Sequence, residues 1–369
     1  MKTVMCVIGT RPEAIKMAPV VLRARECGRL RVVLCATGQH QDMLHDGLDA
    51  FALIPDVDLE VMQKGQSLTQ LTSQLLLSID NCLSAIKPDA VLVQGDTQTC
   101  YCGAQAAFLK GIPVGHVEAG LRTKSRRNPF PEEMNRRFTD LLSDWHFAPT
   151  PQARQNLLGE GIPDSSIIIT GNTAIDALLL ASHSLRVNAA QYVSFDPNTM
   201  NGQEIILVTG HRRENHGAPI ENLCKALRDV VRRHDSSCIV YPVHMNPNVQ
   251  RSVHHWLGGL ERVHLIPPQP YLAFVDLMRR ASIIVTDSGG IQEEAPSLGK
   301  QVLVTRVNTE RPEVLLTGCV RLVGNSQETI CSEILKSLKN GKGVGPVENP
   351  CGDGRAAQRI VEFLEARLK

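Results

Sequence analysis

Short apolar runs alternate along this chain with longer amphipathic stretches, and that rhythm restricts the fold more than any other feature. Residues 2–8 (KTVMCVI), 31–36 (RVVLCA), 90–94 (AVLVQ), 112–117 (IPVGHV) and 145–148 (WHFA) are apolar at successive positions, which marks strands covered on both faces. Between them lie helical patterns such as 67–86. Strand–helix–strand alternation predicts βαβ units, and so a parallel sheet with helices on both faces. The pattern lapses over about 183–203, where RVNAAQYVSFDPNTMNGQE is polar and contains turn residues. It then restarts with 204–209 (EIILVT), a helix around 219–233, 237–242 (SCIVYP), 263–266 (VHLI), 282–286 (SIIVT), 301–305 (QVLVT) and a short strand near 320–323. The closing GRAAQRIVEFLEARLK reads as a helix introduced by glycines. Two α/β domains of similar size are expected, with ligands beyond the carboxyl ends of both sheets in a cleft between them.

Composition agrees. A chain of 369 residues with 43% hydrophobic side chains is too long for one ordinary core and apolar enough for two. Lysine plus arginine number 39 against 38 acidic residues, so no global field favours nucleic acid or an anionic membrane, and any anion must be held by a local cluster. The eleven cysteines are odd in number and form no CxxC pair, and Cys6, Cys35 and Cys238 sit in apolar runs. They read as reduced core residues of a cytoplasmic protein, neither a disulfide frame nor a zinc site. The start, MKTVMCVIGTRPE, turns charged at once and lacks a small-residue cleavage site, so it reads as a strand and not a signal peptide. No apolar run reaches the roughly 18 residues of a membrane span.

Chemistry in such folds sits just after strands, and the conspicuous residues lie there. Gly9, Arg11, Pro12, Glu13 and Lys16 follow the first strand. Proline is well tolerated in the first turn, so a helix is expected to start near Pro12, with its N-terminus and two cations favouring an anion. A capped helix with solvated cations reads equally well from this loop alone. The loop lacks the second and third glycines of GxGxxG, so no nicotinamide cofactor is indicated. Asp96 follows VLVQG, His116, Glu118 and Arg122 lie in IPVGHVEAGLRT, and Glu132 and Glu133 in NPFPEEMNRR. Taken singly, Asp96 is an ordinary helix cap and each glutamate an ordinary first-turn charge. Together, successive segments of one sheet bring carboxylates to one edge, where they are usable as acid and base. In the second half, ILVTGHRREN places His211, Arg212, Arg213 and Glu214 after a strand. IIVTDSGGIQEEA places Ser288, Gly289 and Gly290 before a helix carrying Gln292, Glu293 and Glu294. Ser-Gly-Gly lets backbone amides approach a phosphate, and Arg311, Pro312 and Glu313 repeat the Arg-Pro-Glu of the first domain. Two such elements suggest a nucleoside diphosphate. The adjacent His254 and His255 diverge by about 100° on a helix and make a poor metal pair.

The segments GTRPEAIKMAP, QGDT, HVEAGLRT, PFPEEMNRR, GNTAIDAL, VTGHRREN, HMNP, TDSGGIQEEAP and ERPE together resemble the non-hydrolysing UDP-N-acetylglucosamine 2-epimerases, in one order over nearly the whole chain. The resemblance implies a GT-B fold: Rossmann-like domains over 1–172 and 173–352, with the helix 353–369 packing back on the first. It implies interconversion of UDP-N-acetylglucosamine and UDP-N-acetylmannosamine, usually by a homodimer and without added cofactor or metal. The implied route eliminates UDP across C1–C2 to 2-acetamidoglucal and returns it with a proton delivered to the other face. Such a route needs a stabilised diphosphate leaving group and acid/base groups on both faces of the sugar.

By the same resemblance, Asp96, Glu118, Glu132 and His211 carry proton transfer or stabilise the cationic transition state. Arg11, Lys16, Arg213 and Arg311 hold phosphate or substrate, Ser288, Gly289 and Gly290 contact the diphosphate, Glu294 binds ribose, and Gln269 and Phe274 lie at the uracil site. Phe274 reads equally well as an aromatic on a core face. Many relatives bind a second UDP-N-acetylglucosamine as an allosteric activator, and GQHQDM and PVHMNPNV match that region, whereas Gly65 stands where some carry arginine. Arg127 and Asn128 replace a more usual tyrosine-serine, which leaves a modified UDP-sugar open. A hydrolysing 2-epimerase and a GT-B glycosyltransferase would also fit parts of this pattern; intact GTRPEAIK and PEE favour the reversible enzyme.

Overall fold

The opening run Lys2–Ile8 forms strand β1, and Met5, Val7 and Ile8 are fully buried because helices cover both of its faces. The computed structural model describes residues 1–39, 41–63, 65–123, 125–185, 191–192, 194–200, 202–210, 212, 215, 217–309, 311–341, 345 and 347–368. After β1 come α1 (Arg11–Cys27), β2 (Leu30–Ala36), α2 (Gln41–Asp49), β3 (Val57–Asp58), α3 (Leu68–Ile86), β4 (Ala90–Gln94), α4 (Gln98–Leu109) and β5 (Val114–Val117). Next are α5 (Glu132–Leu142), β6 (Trp145–Ala148), α6 (Pro151–Gly159), β7 (Ile167–Ile169) and α7 (Thr173–Ser184). The second series is β8 (Glu204–Thr209), α8 (Ala218–Arg233), β9 (Ser237–Pro242), α9 (Pro247–Leu257), β10 (Val263–Ile266), α10 (Tyr271–Arg280) and β11 (Ile283–Thr286). It continues with α11 (Gly289–Glu294), β12 (Gln301–Val304), α12 (Pro312–Leu315), β13 (Val320–Leu322) and α13 (Gln327–Lys339), and α14 (Ala356–Arg367) closes the chain.

The first seven strands form one parallel sheet in the order β3-β2-β1-β4-β5-β6-β7, and the other six form a second in the order β10-β9-β8-β11-β12-β13. Both are doubly wound. Strand order reverses between β1 and β4 in one and between β8 and β11 in the other, and loops that diverge at such a switch point open a crevice at the carboxyl edge. The expected strands are present, with ends moved by a residue or two. The sequence rhythm missed β3, a two-residue edge, and β7, three isoleucines too short to stand out as a run.

Contacts divide the chain into Met1–Leu180 with Cys351–Lys369, and Ala181–Pro350. The division thus falls inside α7, not at 172. Most of α7 stays with the first unit because Ala174, Ile175, Ala177 and Leu178 are buried and Asp176 accepts the Ala356 and Ala357 amides of α14 at 3.2 and 2.8 Å. Burial raises the Asp176 carboxyl to about 6, and those amides pull it back. One core of the first unit joins α1 and α14 to the sheet through Met17, Val21, Ile360 and Leu364, and the other face is closed by α3 and α4. The second unit has its core among β8, β9, α8, α9 and α13. All eleven cysteines are free and all but Cys27 are buried. Among the described residues no helix is long and apolar enough to cross a membrane.

Candidate functional site

In the first unit the loops after β1 and β4 flank the switch point. Thr10 precedes α1 in extended conformation, and Glu13 folds back from the first turn to accept the Gly9 amide (3.0 Å) and the Thr10 hydroxyl (2.8 Å). Glu13 is almost wholly buried, and that burial lifts its carboxyl to about 7 against the pull of its hydrogen bonds from Thr97, Thr10 and Gly9. Arg11 pairs with Asp46 of α2 at 3.0 Å. Lys16, one turn further along α1, meets Glu118 at 2.5 Å, and Gln94 at the end of β4 donates to the same carboxylate oxygen at 2.9 Å. Glu118 follows β5 with φ of 68°, a left-handed conformation that costs a non-glycine residue about 1–3 kcal/mol and gathers at functional sites.

Asp96 is held from several directions. Its carboxylate pairs with Arg136, its carbonyl accepts Asn135 Nδ2 at 3.0 Å, and the neighbouring Gly95 carbonyl faces His116 Nε2 at 2.8 Å. His116 Nδ1 faces Asp140 Oδ1 at 2.6 Å, so both ring nitrogens meet acceptors. Arg122 spans Asp140 (2.6 Å) and Glu160 (2.7 Å). Burial would raise the Asp140 carboxyl, but the charges and hydrogen bonds of His116 and Arg122 outweigh it and hold the group below its ordinary value. Glu132 opens α5, and its Oε2 is buried without a hydrogen-bond partner. Its neighbour Glu133 is fully buried and satisfied by the Thr123 amide (3.0 Å) and Arg137 (2.9 Å). An unpartnered buried carboxyl oxygen is costly and calls for an explanation.

In the second unit Asp287, directly after β11, accepts the Arg212 amide (3.0 Å) and Asn215 Nδ2 (2.9 Å), tying together the loops after β8 and β11. Ser288 precedes α11 and makes no side-chain cap bond to it. A Cβ on Gly289 would lie 2.6 Å from Arg311 Nη1 and 3.3 Å from Arg212 Nη2, so the missing side chain admits two guanidinium groups over the backbone. Arg311 is steadied by an ion pair with Glu293, and Glu294 Oε1 comes within 3.8 Å of a Cβ position on Gly290. Gln269 is buried and donates to the Pro267 carbonyl at 2.7 Å. Phe274 is half-buried on α10, not sealed in a core.

The structure therefore joins Lys16 to Glu118 and brings Ser288, Gly289, Gly290, Glu294 and Arg311 to one sheet edge, while Arg11 is engaged by Asp46. His211 and Arg213 lie outside the described residues, as do His40 and the side chains of residues 41–43 in the stretch matched to an activator site. Sequence reasoning passed over Arg136, Gln94, Asp140 and the contact of Arg212 with the Gly289 position. Arg136 alone left a signal, one helical turn after Glu132. His254 and His255 are exposed, and among the described residues no cluster of three His, Cys, Asp or Glu forms a metal site.

Residues 22–365 match the family model described as UDP-N-acetylglucosamine 2-epimerase. The UDP-N-acetylglucosamine 2-epimerase of Escherichia coli K12 is 50% identical over 98% of each chain. A crystal structure of UDP-GlcNAc 2-epimerase from Neisseria meningitidis bound to UDP-GlcNAc superposes with a TM-score of 0.87 at 44% identity, covering 98% of this chain and 99% of that one. MurG of Acinetobacter baumannii, 16% identical with a TM-score of 0.58 over 99% of this chain and 100% of its own, shares the GT-B fold alone.

Proposed function

Since the chain belongs to the UDP-N-acetylglucosamine 2-epimerase family, we propose that it interconverts UDP-N-acetylglucosamine and UDP-N-acetylmannosamine reversibly, without releasing free sugar. The observation that carries this reading is the set of carboxylates Asp96, Glu118 and Glu132, of which Glu132 buries an oxygen without a partner. A protein that only bound nucleotide would have no use for them.

Direct inversion at C2 is slow because that hydrogen is not acidic. Elimination avoids the difficulty: one carboxylate takes the C2 proton while the C1–O bond breaks toward UDP, leaving 2-acetamidoglucal. Re-addition of UDP at C1, with a proton delivered to C2 from the opposite face, gives the epimer. Asp96, Glu118, Glu132 and His211 are the groups proposed for proton transfer and for stabilising positive charge at C1. Lys16, fixed to Glu118, and Arg11 are proposed to steady the substrate. Arg213, Arg311, Ser288, Gly289 and Gly290 are proposed to hold the diphosphate, Glu294 the ribose, and Gln269 and Phe274 the uracil. Two guanidinium groups at Gly289 support that placement, since preorganised cations stabilise a leaving diphosphate without reorganisation. No cofactor is invoked. The free, buried thiols support a reducing compartment such as the cytoplasm.

In D2O, incubation with UDP-N-acetylglucosamine followed by proton NMR is expected to give a second UDP-sugar and deuterium at C2. Free N-acetylmannosamine would instead identify a hydrolysing enzyme, and an unchanged spectrum would refute the reaction.

A homodimer is also proposed. Leu77 of α3, Phe108 and Leu109 of α4 and Leu141 of α5 are all exposed, and these helices pack side by side. Exposed apolar clusters of this kind mark association surfaces. Light scattering is expected to give twice the mass of one chain, with Leu141→Glu shifting it toward one. A monomeric wild type would reject the dimer.

A further inference from the structure

We propose that Glu13 is a positioning residue that fastens the loop carrying Asp96 to the start of α1, where Arg11 stands. The inference rests on the epimerase reading and adds a residue to it. Glu13 stands three positions after Thr10, the spacing of a helix capping box, but Thr10 makes no side-chain cap bond; one Glu13 oxygen, Oε2, instead accepts the Gly9 amide and the Thr10 hydroxyl, both local to its own loop. Those local bonds do not account for its other oxygen. Glu13 Oε1 accepts the hydroxyl of Thr97 at 2.7 Å, from a residue 84 positions away. Thr97 directly follows Asp96, and its hydroxyl also accepts the Cys100 amide at 3.0 Å as the N-cap of α4. One carboxylate therefore receives donors from both loops of the switch point.

The two loops are dovetailed beside this link. A Cβ on Gly9 would collide with the hydroxyls of Thr99 and Thr37, which bond each other at 2.9 Å, so the end of β1 lies directly against the first turn of α4. Loss of the Glu13–Thr97 link would leave Asp96 tied by Arg136 and Asn135 on α5 but no longer referenced to α1. A catalytic carboxylate tolerates little displacement, because a misplacement of about 1 Å costs about 10²-fold in rate.

The test compares wild type, Glu13→Gln, Thr97→Val and the double variant in thermal melting, UDP binding by calorimetry, and kcat and KM for UDP-N-acetylglucosamine. Each single variant is expected to lose roughly ten- to hundredfold in kcat, with KM and UDP affinity within about threefold of wild type. The double variant is expected to lose no more than the worse single one, because both remove the same link. Thr97→Ser, which keeps both hydroxyl bonds, is expected to restore turnover, and Glu13→Gln, which leaves the Thr97 cap bond to Cys100 in place, separates the link from loss of the cap. Turnover within about threefold of wild type in both single variants, or losses that multiply in the double variant, would overturn the proposal. If Glu13→Gln does not fold, Thr97→Val against Thr97→Ser decides the matter: turnover within about threefold of wild type in Thr97→Val, or no recovery in Thr97→Ser, would overturn the proposal. A wild type without activity on the sugar nucleotide overturns the epimerase reading and this inference with it, whereas an active wild type with active variants overturns this inference alone.

Discussion

Glu132→Gln is expected to lower turnover by about 10²- to 10⁴-fold while leaving UDP affinity unchanged. The amide keeps the shape of the carboxyl but cannot take up or deliver the C2 proton. Stability is expected to hold or rise slightly, because Glu132 Oε2 is buried without a partner and its replacement breaks no bond to that oxygen. A half-buried carboxyl that keeps one oxygen buried without a partner is the pattern of a site held for function. Steady-state kinetics, calorimetric UDP binding and a thermal melt on one preparation provide the check. A variant with near-normal turnover would remove Glu132 from the proton-transfer set, and a large loss of melting temperature would show that the carboxyl serves the fold.

Asp140→Asn is expected to destabilise the protein by about 3–5 kcal/mol at neutral pH, the usual cost of leaving buried charges without their counter-charge. Arg122 Nη2 donates to Asp140 Oδ2 and His116 Nδ1 faces Oδ1, at 2.6 Å each, so asparagine removes the negative charge opposite a buried guanidinium and turns its amide nitrogen toward one of the two partners. The effect is pH-dependent with a definite sign. The Asp140 carboxyl lies below its ordinary value of 3.8 in the folded state, so it binds its proton less readily there than when unfolded. Its stabilisation is fully present above 3.8 and is lost as pH falls through the lower folded value. Urea unfolding is therefore expected to show a large gap between variant and wild type at pH 7 that narrows as the pH falls below 3.8. A gap under about 1 kcal/mol at pH 7 would mean that the network is already compensated elsewhere.

Much of this molecule is readable from its residues in order. Strands buried on both faces must be apolar at successive positions, so β1, β4, β8 and β11 announce themselves, and once they are placed the residues just behind them are the candidates for chemistry. Asp96, Glu118 and Ser288 follow from that reasoning. The two edge strands escaped it because an edge of two or three residues needs no long apolar run. The ties between distant segments were also hidden. Glu13 with Thr97, Asp96 with Arg136 and His116 with Asp140 join residues 84, 40 and 24 positions apart, and no local pattern encodes such pairings.

Glu132 and Glu133 mark the line between the two kinds of information. Side by side in PFPEEMNRR they are chemically identical, and the sequence by itself determined only that two carboxylates open a helix next to a strand edge. Tertiary structure decided their fates. Successive residues on a helix point about 100° apart, so Glu133 turns toward the Thr123 amide, Arg136 and Arg137 and is satisfied, while Glu132 turns to a position where one oxygen is buried with nothing to bond. Which of two neighbouring acids is spent on the fold depends on what stands across from each, and that is set only when distant segments pack.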